Sequence, residues 1–341
     1  CIMSKPITFH CHIPSTSNCI MSKPITTADF NYYVAESTTP MEDGFLTCPF
    51  DVPACLAQNV ANGAIASRTC DVYDAREDPE LCSSEINREV FDKRGLWFTP
   101  HVSKVENFWD EDEILNVHYP ELSRLAKEIS GSDITAVAAH ALRRQGAPEG
   151  PRLSETAALA RDAAFTVHND FSDCMKDQFL EMFKHGVTSV ISDDVEKGGL
   201  GITEEQLRAG RLAVINFWRP LSREPLTRNP LAVLDATSIG DDDIVLCRHP
   251  AKGENYTFLK YYRLPVPFIN TLIRPNPTHR WYIYPDMTRD EVMVFKNYDS
   301  DHPMPKSGAG MHSSFNDPRT PADAPPRESI EVRVVCFWHA K

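Results

Sequence analysis

Up to about Asn116 the apolar residues of this chain come in short, broken groups, and from Thr27 onward that pattern predicts irregular structure with short strands. Within it, Phe91-Asp92-Lys93-Arg94-Gly95-Leu96-Trp97-Phe98 joins aromatic ends through turn residues and predicts an early hairpin. The period then changes. Leu122, Leu125, Ala126 and Ile129 stand at helical spacing between Tyr119 and Ser130, and Gly131 supplies a stop signal. A second helix is predicted over Ser154 to Ala164, and a third over Phe171 to His185 with Met175, Phe179, Met182 and Phe183 on one side. Farther on, β-branched and aromatic residues dominate. Arg211 to Trp218, Asp243 to Cys247, Asn255 to Leu264, Arg280 to Tyr284, Glu291 to Tyr298 and Ser329 to Trp338 are predicted strands. Pro225, Pro230, Pro265, Pro267, Pro275 and Pro277 mark turns between them.

Composition narrows the class. With 341 residues, 42% of them hydrophobic, the chain can bury a sizeable core. A formal net charge of -13 argues against a phosphate backbone or an anionic membrane surface as partner. The apolar runs are far too short for a membrane span, and no charged, hydrophobic and small-residue leader opens the chain, so a cytoplasmic location is expected. The ten cysteines are scattered without a CxxC, which predicts reduced thiols. Cys48, Cys55, Cys70 and Cys82 cluster, yet their spacings fit no usual zinc pattern.

The octamer from Cys1 to Thr8 recurs at Cys19 to Thr26, too short and polar a unit to be a structural repeat. Residues 1–26 are therefore expected to be a disordered duplicated segment with Met21 as the functional start, and residues 27–341 a single domain. His10-Cys11-His12 resembles a metal tripod but falls inside that segment.

The candidate chemistry lies later in the chain. Val167-His168-Asn169-Asp170 holds the sole His-x-Asp, a motif that 12 histidines and 48 acidic residues would produce roughly once by chance. Order adds weight to it. Residues i and i+2 of a strand share a side, so His168 and Asp170 can reach one metal ion, and His312 from a distant segment can complete a facial triad. Three protein ligands leave three positions open, enough for Fe(II) to take a bidentate 2-oxo acid and O2. Fifteen residues beyond His312, Arg327-Glu328-Ser329 offers a planar fork and a hydroxyl that suit the far carboxylate of 2-oxoglutarate. Ligands on an early and a late strand fit a mainly β fold with flanking helices. That fold is a double-stranded β-helix, a cupin-like jelly-roll core over about residues 136–338.

Several long blocks also resemble one family. They are Ala138-Ala139-His140-Ala141-Leu142-Arg143-Arg144, the His168 motif, Val214 to Pro220, Pro230 to Ala236, His279 to Tyr282, Asp290 to Ser300, His312 to Pro318 and Pro325 to Arg333. The stretch from about Ala136 to Val335 is similar to the mostly fungal 2-oxoglutarate oxygenases of specialised metabolism. These are grouped with gibberellin desaturase-like enzymes and named after a cephamycin-methoxylation protein. The resemblance implies iron-ligand roles for His168, Asp170 and His312, and the co-substrate role for Arg327. One departure concerns Met311-His312-Ser313, where the family usually has Pro-His-Thr; serine keeps the hydroxyl.

Other residues carry two readings. Trp218 and Trp281 are strand aromatics that either fill core or line a substrate pocket. Arg219 sits in an apolar run and needs a partner, either a substrate carboxylate or an acid such as Asp235. Arg333 is the rival of Arg327 as co-substrate anchor. The helix predicted after Asp170 could form a lid with Gly198-Gly199-Leu200-Gly201 as hinge, or an ordinary connection. A hydrolase is disfavoured because there is no Gly-x-Ser-x-Gly elbow, and a non-catalytic binding relative is opposed by the intact triad. The expected activity is oxidation of a small molecule of polyketide, terpenoid or alkaloid type, with ascorbate as a supporting reductant and a homodimer left open. Hydroxylation, desaturation, epoxidation and rearrangement are not distinguished.

Overall fold

The computed structural model describes residues 23–34, 41–42, 45–47, 63–146, 162–184, 199–249, 268–306 and 308–340. In chain order its strands are β1 Thr26–Tyr33, β2 Met41–Glu42, β3 Phe45–Thr47, β4 Ile65–Asp74, β5 Leu96–Pro100, β6 Ile134–Arg144, β7 His168–Asn169 and β8 Arg211–Pro220. They continue with β9 Leu231–Leu234, β10 Ile244–His249, β11 Phe268–Ile273, β12 Trp281–Ile283, β13 Glu291–Asp299, β14 His312–Ser314 and β15 Glu328–Trp338. Four helices matter to the packing, α1 Arg88–Arg94, α2 Tyr119–Ser130, α3 Met175–Lys184 and α4 Glu204–Ala209.

The strands form two sheets. One runs β5-β13-β8-β15-β6, and the other β1-β4-β12-β9-β14-β7-β11-β10-β3-β2. The chain alternates between them from β6 to β9 and again from β12 to β15, with β9 to β12 all in the large sheet, and the contiguous β12-β9-β14-β7 of the large sheet faces β13-β8-β15-β6 of the small one. That alternation is the jelly-roll, with β10 and β11 extending one edge and β1 and β4 the other.

Local chemistry explains the elements. The expected hairpin at Phe91 to Phe98 is instead α1 followed directly by β5. Asn87 caps the helix by accepting from the amides of Glu89 and Val90, and Gly95 ends it at φ 79°. A side chain at Gly95 would also collide with the Gly308 carbonyl, so both backbone conformation and space demand glycine there. The predicted Tyr119 to Ser130 helix is α2, closed by Gly131 at φ 67°. The region before it is more regular than its pattern suggested, since β1 and β4 pair over eight residues each.

Three other expectations need correction or fall outside the described residues. Asp162 to Phe165 carry no regular structure, so the described end of the predicted second helix is extended chain leading to β7, and its earlier part is not described. The predicted strand from Asn255 to Leu264, the octamer repeat as far as Ser22, His10-Cys11-His12, Cys48, Cys55 and Gly198 lie outside the described residues, whereas Lys23 to Thr26 of the second octamer are described, with the Ile25 amide donating to the Val72 carbonyl and Thr26 opening β1. The third helix is shorter than predicted, and Met175, Phe179 and Leu180 are buried among Leu212, Val214, Val335 and Phe337, which makes it packing for the small sheet.

Hydrophobic packing falls on both sides of the small sheet. Its outer face, with Ile215, Phe217, Ile330, Val332 and Val334, is buried against Leu122, Ala126 and Ile129 of α2. Inside the barrel two apolar clusters sit apart, one around α3 and the other around Leu96, Phe98, Trp218, Tyr282 and Phe295. The residues of the candidate site belong to neither cluster apart from Trp218.

Candidate active site

Strand pairing brings the triad together. β14 is hydrogen-bonded to β7 with His312 directly opposite His168, so two residues far apart in sequence become cross-strand neighbours. Their ring centroids are 4.4 Å apart, and Asp170 follows β7 with Oδ1 3.7 Å from His168 Nε2. One ligand atom from each of His168, Asp170 and His312 lies within 4.8 Å of the others, and it is the one such cluster among the described residues. Asn169, the residue between, is used differently. Its Nδ2 donates to the Gly310 carbonyl and its Oδ1 accepts from the Phe171 amide, which ties β7 to the segment leading into β14.

The polar atoms around the triad fit a divalent cation. His168 Nδ1 lies 2.7 Å from the Thr166 carbonyl, a bond in which the ring donates, leaving Nε2 free toward Asp170. Buried His312 keeps Nδ1 without any hydrogen-bond partner. Burial first, and then the neighbouring His168, hold His312 well below the usual imidazole range, so it is a neutral donor. Asp170 directs one oxygen away from the cluster. Its Oδ2 accepts from Arg333 Nε at 3.0 Å, Arg333 Nη2 at 2.9 Å, Asn297 Nδ2 at 2.8 Å and Asn216 Nδ2 at 3.4 Å. Oδ1 is left toward His168, where it could serve a metal ion. Burial alone would raise the Asp170 carboxyl, but Arg333 and then the two imidazoles outweigh it and keep the group ionised far below the usual range. Arg333 also pairs with Glu331, which in turn accepts from Asn216. A buried carboxylate held this way has its geometry set before any metal arrives.

Arg327 is built on other terms. It is 2% exposed, and among the described residues no carboxylate pairs with it. Its Nε donates to Ser329 Oγ at 3.2 Å, and its Nη1 donates to the Asn229 carbonyl at 2.8 Å and to Ser314 Oγ. Its guanidinium carbon lies 5.1 Å from the Trp218 ring centre. Burial, then repulsion from Arg143, lowers this guanidinium to about 9. A buried cation that is oriented by neutral oxygens, with Glu331 and Asp162 acting on it only from a distance and no paired carboxylate among the described residues, is suited to receive a carboxylate.

The remaining sequence candidates separate by strand face. Trp218 shares the inner face with Asn216, and its indole N–H is buried without a partner. Arg219, the next residue, points the other way. Its Nη1 donates to the carbonyls of His101 and Arg289, so neither the expected Asp235 nor the triad is its partner. Asp235 pairs instead with Arg94 and Arg280. Trp281 also faces away from the barrel interior, stacked on Phe30 at 4.3 Å with its N–H donating to Tyr32 at 2.8 Å. Arg333 is committed to Asp170 and Glu331. Asn216, Asn297, Glu331, Ser314 and Asn229 were not singled out from the sequence. The available signal was a polar residue inside an apolar strand, as in Ile215-Asn216-Phe217, which must find a partner when buried.

Comparison with known proteins agrees with this geometry. The family described as "Oxidoreductase/YMDC permease-like domain" matches residues 31–337. A hydroxylase/desaturase, efuI, of Hormonema carpetanum is 31% identical over 254 residues, covering 72% of this chain and 78% of the relative. The Fe(II)/2-oxoglutarate-dependent dioxygenase nvfI of Aspergillus novofumigatus is 27% identical over 78% of this chain and 81% of its own length. Among solved structures, the iron and alpha-ketoglutarate-dependent endoperoxidase NvfI superposes with a TM-score of 0.64 at 21% identity, covering 92% of this chain and 98% of that one. By sequence match and fold together, the chain belongs to the fungal hydroxylase/desaturase family of Fe(II)- and 2-oxoglutarate-dependent oxygenases.

Proposed function

We propose that this oxygenase oxidises a small specialised metabolite of polyketide, terpenoid or alkaloid type, with Fe(II) held by His168, Asp170 and His312. Arg327, helped by Ser329 and Ser314, takes the far carboxylate of 2-oxoglutarate. The observation that carries the co-substrate assignment is the buried Arg327 guanidinium without a paired carboxylate among the described residues, in the same barrel as the triad. Bound iron supplies activation of O2 coupled to oxidative decarboxylation of 2-oxoglutarate. The chain's own residues set the terms of that chemistry. Arg333, Asn216 and Asn297 hold Asp170 Oδ2 so that Oδ1 faces the two imidazoles, and Thr166 fixes the His168 tautomer. The unpartnered Trp218 N–H offers one further donor inside the barrel. Arg219 and Trp281, turned to other layers, have no substrate role in this reading.

The reading includes ascorbate as supporting reductant, a cytoplasmic setting, a homodimer as a permitted assembly and residues 27–341 as one domain. No described helix is long and apolar enough to cross a membrane. Incubation with Fe(II), ascorbate and 2-oxoglutarate should release succinate, faster when pathway extracts supply a substrate. His168→Ala, Asp170→Ala and His312→Ala should each abolish iron binding and turnover, because losing one of three ligands breaks the site. Full turnover by His312→Ala would remove the assignment.

A further inference from the structure

We infer that Arg143 is an anion-binding residue at the substrate side of the barrel, and that the substrate of the oxygenation proposed above carries a carboxylate. The register of β6 against β15 sets Arg143 directly opposite Ser329, and cross-strand neighbours project from the same face. Ser329 is the residue whose hydroxyl accepts from Arg327, so Arg143 faces the barrel interior beside the co-substrate arginine. The inner positions preceding it on β6, Ala139 and Ala141, are methyl-sized.

The contrast with the next residue is instructive. Arg144 faces outward, donates from Nε to Glu328 at 2.7 Å and stacks 4.1 Å over the Trp109 ring. Arg143 is also partly buried, yet among the described residues its one hydrogen bond runs from Nη1 to the Asp162 carbonyl at 2.9 Å. The Asp162 carboxylate is turned to the amides of Ala163 and Gly146. Nε and Nη2 of Arg143 are left with no partner among the described residues. The guanidinium is also near enough to both His312 and Arg327 to disfavour their protonated forms, behind the larger effect of burial.

Arg143 and Arg327 share that end of the barrel with the carboxylates of Glu331 and Asp162. A guanidinium with two free donor atoms matches a carboxylate bidentately.

The test uses the full chain loaded anaerobically with Fe(II) and 2-oxoglutarate, reading the visible charge-transfer band of that complex. Decanoate and methyl decanoate serve as probes differing only in the anion. Wild-type protein should bind decanoate at least about tenfold tighter than the ester, the worth of one charge-assisted hydrogen bond. Arg143→Gln should erase that preference and leave 2-oxoglutarate affinity within about twofold, while Arg143→Lys should retain part of it. The unchanged band in both variants reports an intact fold. Equal binding of acid and ester by wild type overturns the inference. So does a large loss of 2-oxoglutarate affinity in Arg143→Gln, which would assign Arg143 to the co-substrate instead. Failure of the wild-type band to form at all would remove the iron and co-substrate assignment itself, a result distinct from either.

Discussion

On the outer face of β15, Ile330, Val332, Val334 and Cys336 are buried against α2, whereas the inner face of the same strand carries Ser329, Glu331 and Arg333. Neither face is accessible to water. The outer one gains from burial, at roughly 1.5–3 kcal/mol for each large aliphatic side chain. The inner one must recover a desolvation cost, and it does so through ion pairs to Asp170 and between Glu331 and Arg333. Adjacent β8 repeats the division, with Asn216 inside and Ile215 and Phe217 outside. Stability and chemistry are thus segregated by strand alternation, one residue apart, and substitutions on the two faces should fail in different ways.

The sharpest comparison lies between two arginines on the inner side. Arg333→Ala strands two buried carboxylates and should cost about 3–5 kcal/mol of unfolding free energy, with iron binding weakened about 10- to 100-fold. Arg327→Ala removes a buried cation that has no acidic partner among the described residues. The melting temperature of its metal-free form should therefore hold or rise. Its KM for 2-oxoglutarate should climb by roughly two to three and a half decades, the loss typical of a desolvated charge pair. Thermal melts with and without 2-oxoglutarate separate the two, since added co-substrate should stabilise wild type and fail to stabilise Arg327→Ala. Equal destabilisation of both metal-free variants would show that Arg327 is structural.

An outer-face substitution should do the converse. Ile330 is fully buried in the layer against α2, and Ile330→Ala should cost about 2–5 kcal/mol through lost transfer energy and a cavity. Iron and 2-oxoglutarate affinities, measured well below the melting temperature, should stay at wild-type values. A drop in iron affinity comparable to that of Arg333→Ala would break the segregation of the two faces.

Much of this division was legible in the chain. The strands predicted at Arg211 to Trp218, Glu291 to Tyr298 and Ser329 to Trp338 lie within two residues of their observed bounds, because runs rich in β-branched and aromatic residues are a local signal. The order of His168, Asp170, His312 and Arg327 was equally visible. What could not be read was pairing. Nothing local says that Arg333 reaches back to Asp170, 163 positions away, or that Asn216 and Asn297 join it from two other strands. Trp281 and Arg219 show the same limit, since an aromatic or an arginine in an apolar strand can face either layer, and only the sheet order decides. The hairpin expected at Phe91 became a helix because the Asn87 cap and Gly95 outweighed the aromatic residues between them.

The smallest expected effect belongs to the outer layer and appears only with pH. His101 and His118 lie near Arg219 on the outer side of β8, and burial followed by the Arg219 charge lowers them to about 4 and about 2. Both folded-state values lie below that of an unfolded histidine, so between about pH 6.5 and 4 the unfolded chain takes up protons that the folded chain refuses. The stability from these two neutral imidazoles is fully present above about pH 6.5 and is lost as pH falls. By about pH 5 the loss should be on the order of 1–2 kcal/mol for fully buried His118 and less for His101, which is partly exposed and therefore screened. Asp170 stays ionised through this window, while buried His312 on the inner side, also held well below the usual imidazole range, adds a slope of the same sign that His118→Gln leaves in place. Urea unfolding near neutral pH and near pH 5 should show a shallower decline for His118→Gln than for wild type. If the two slopes coincide, the acid sensitivity of this fold does not come from its outer histidines.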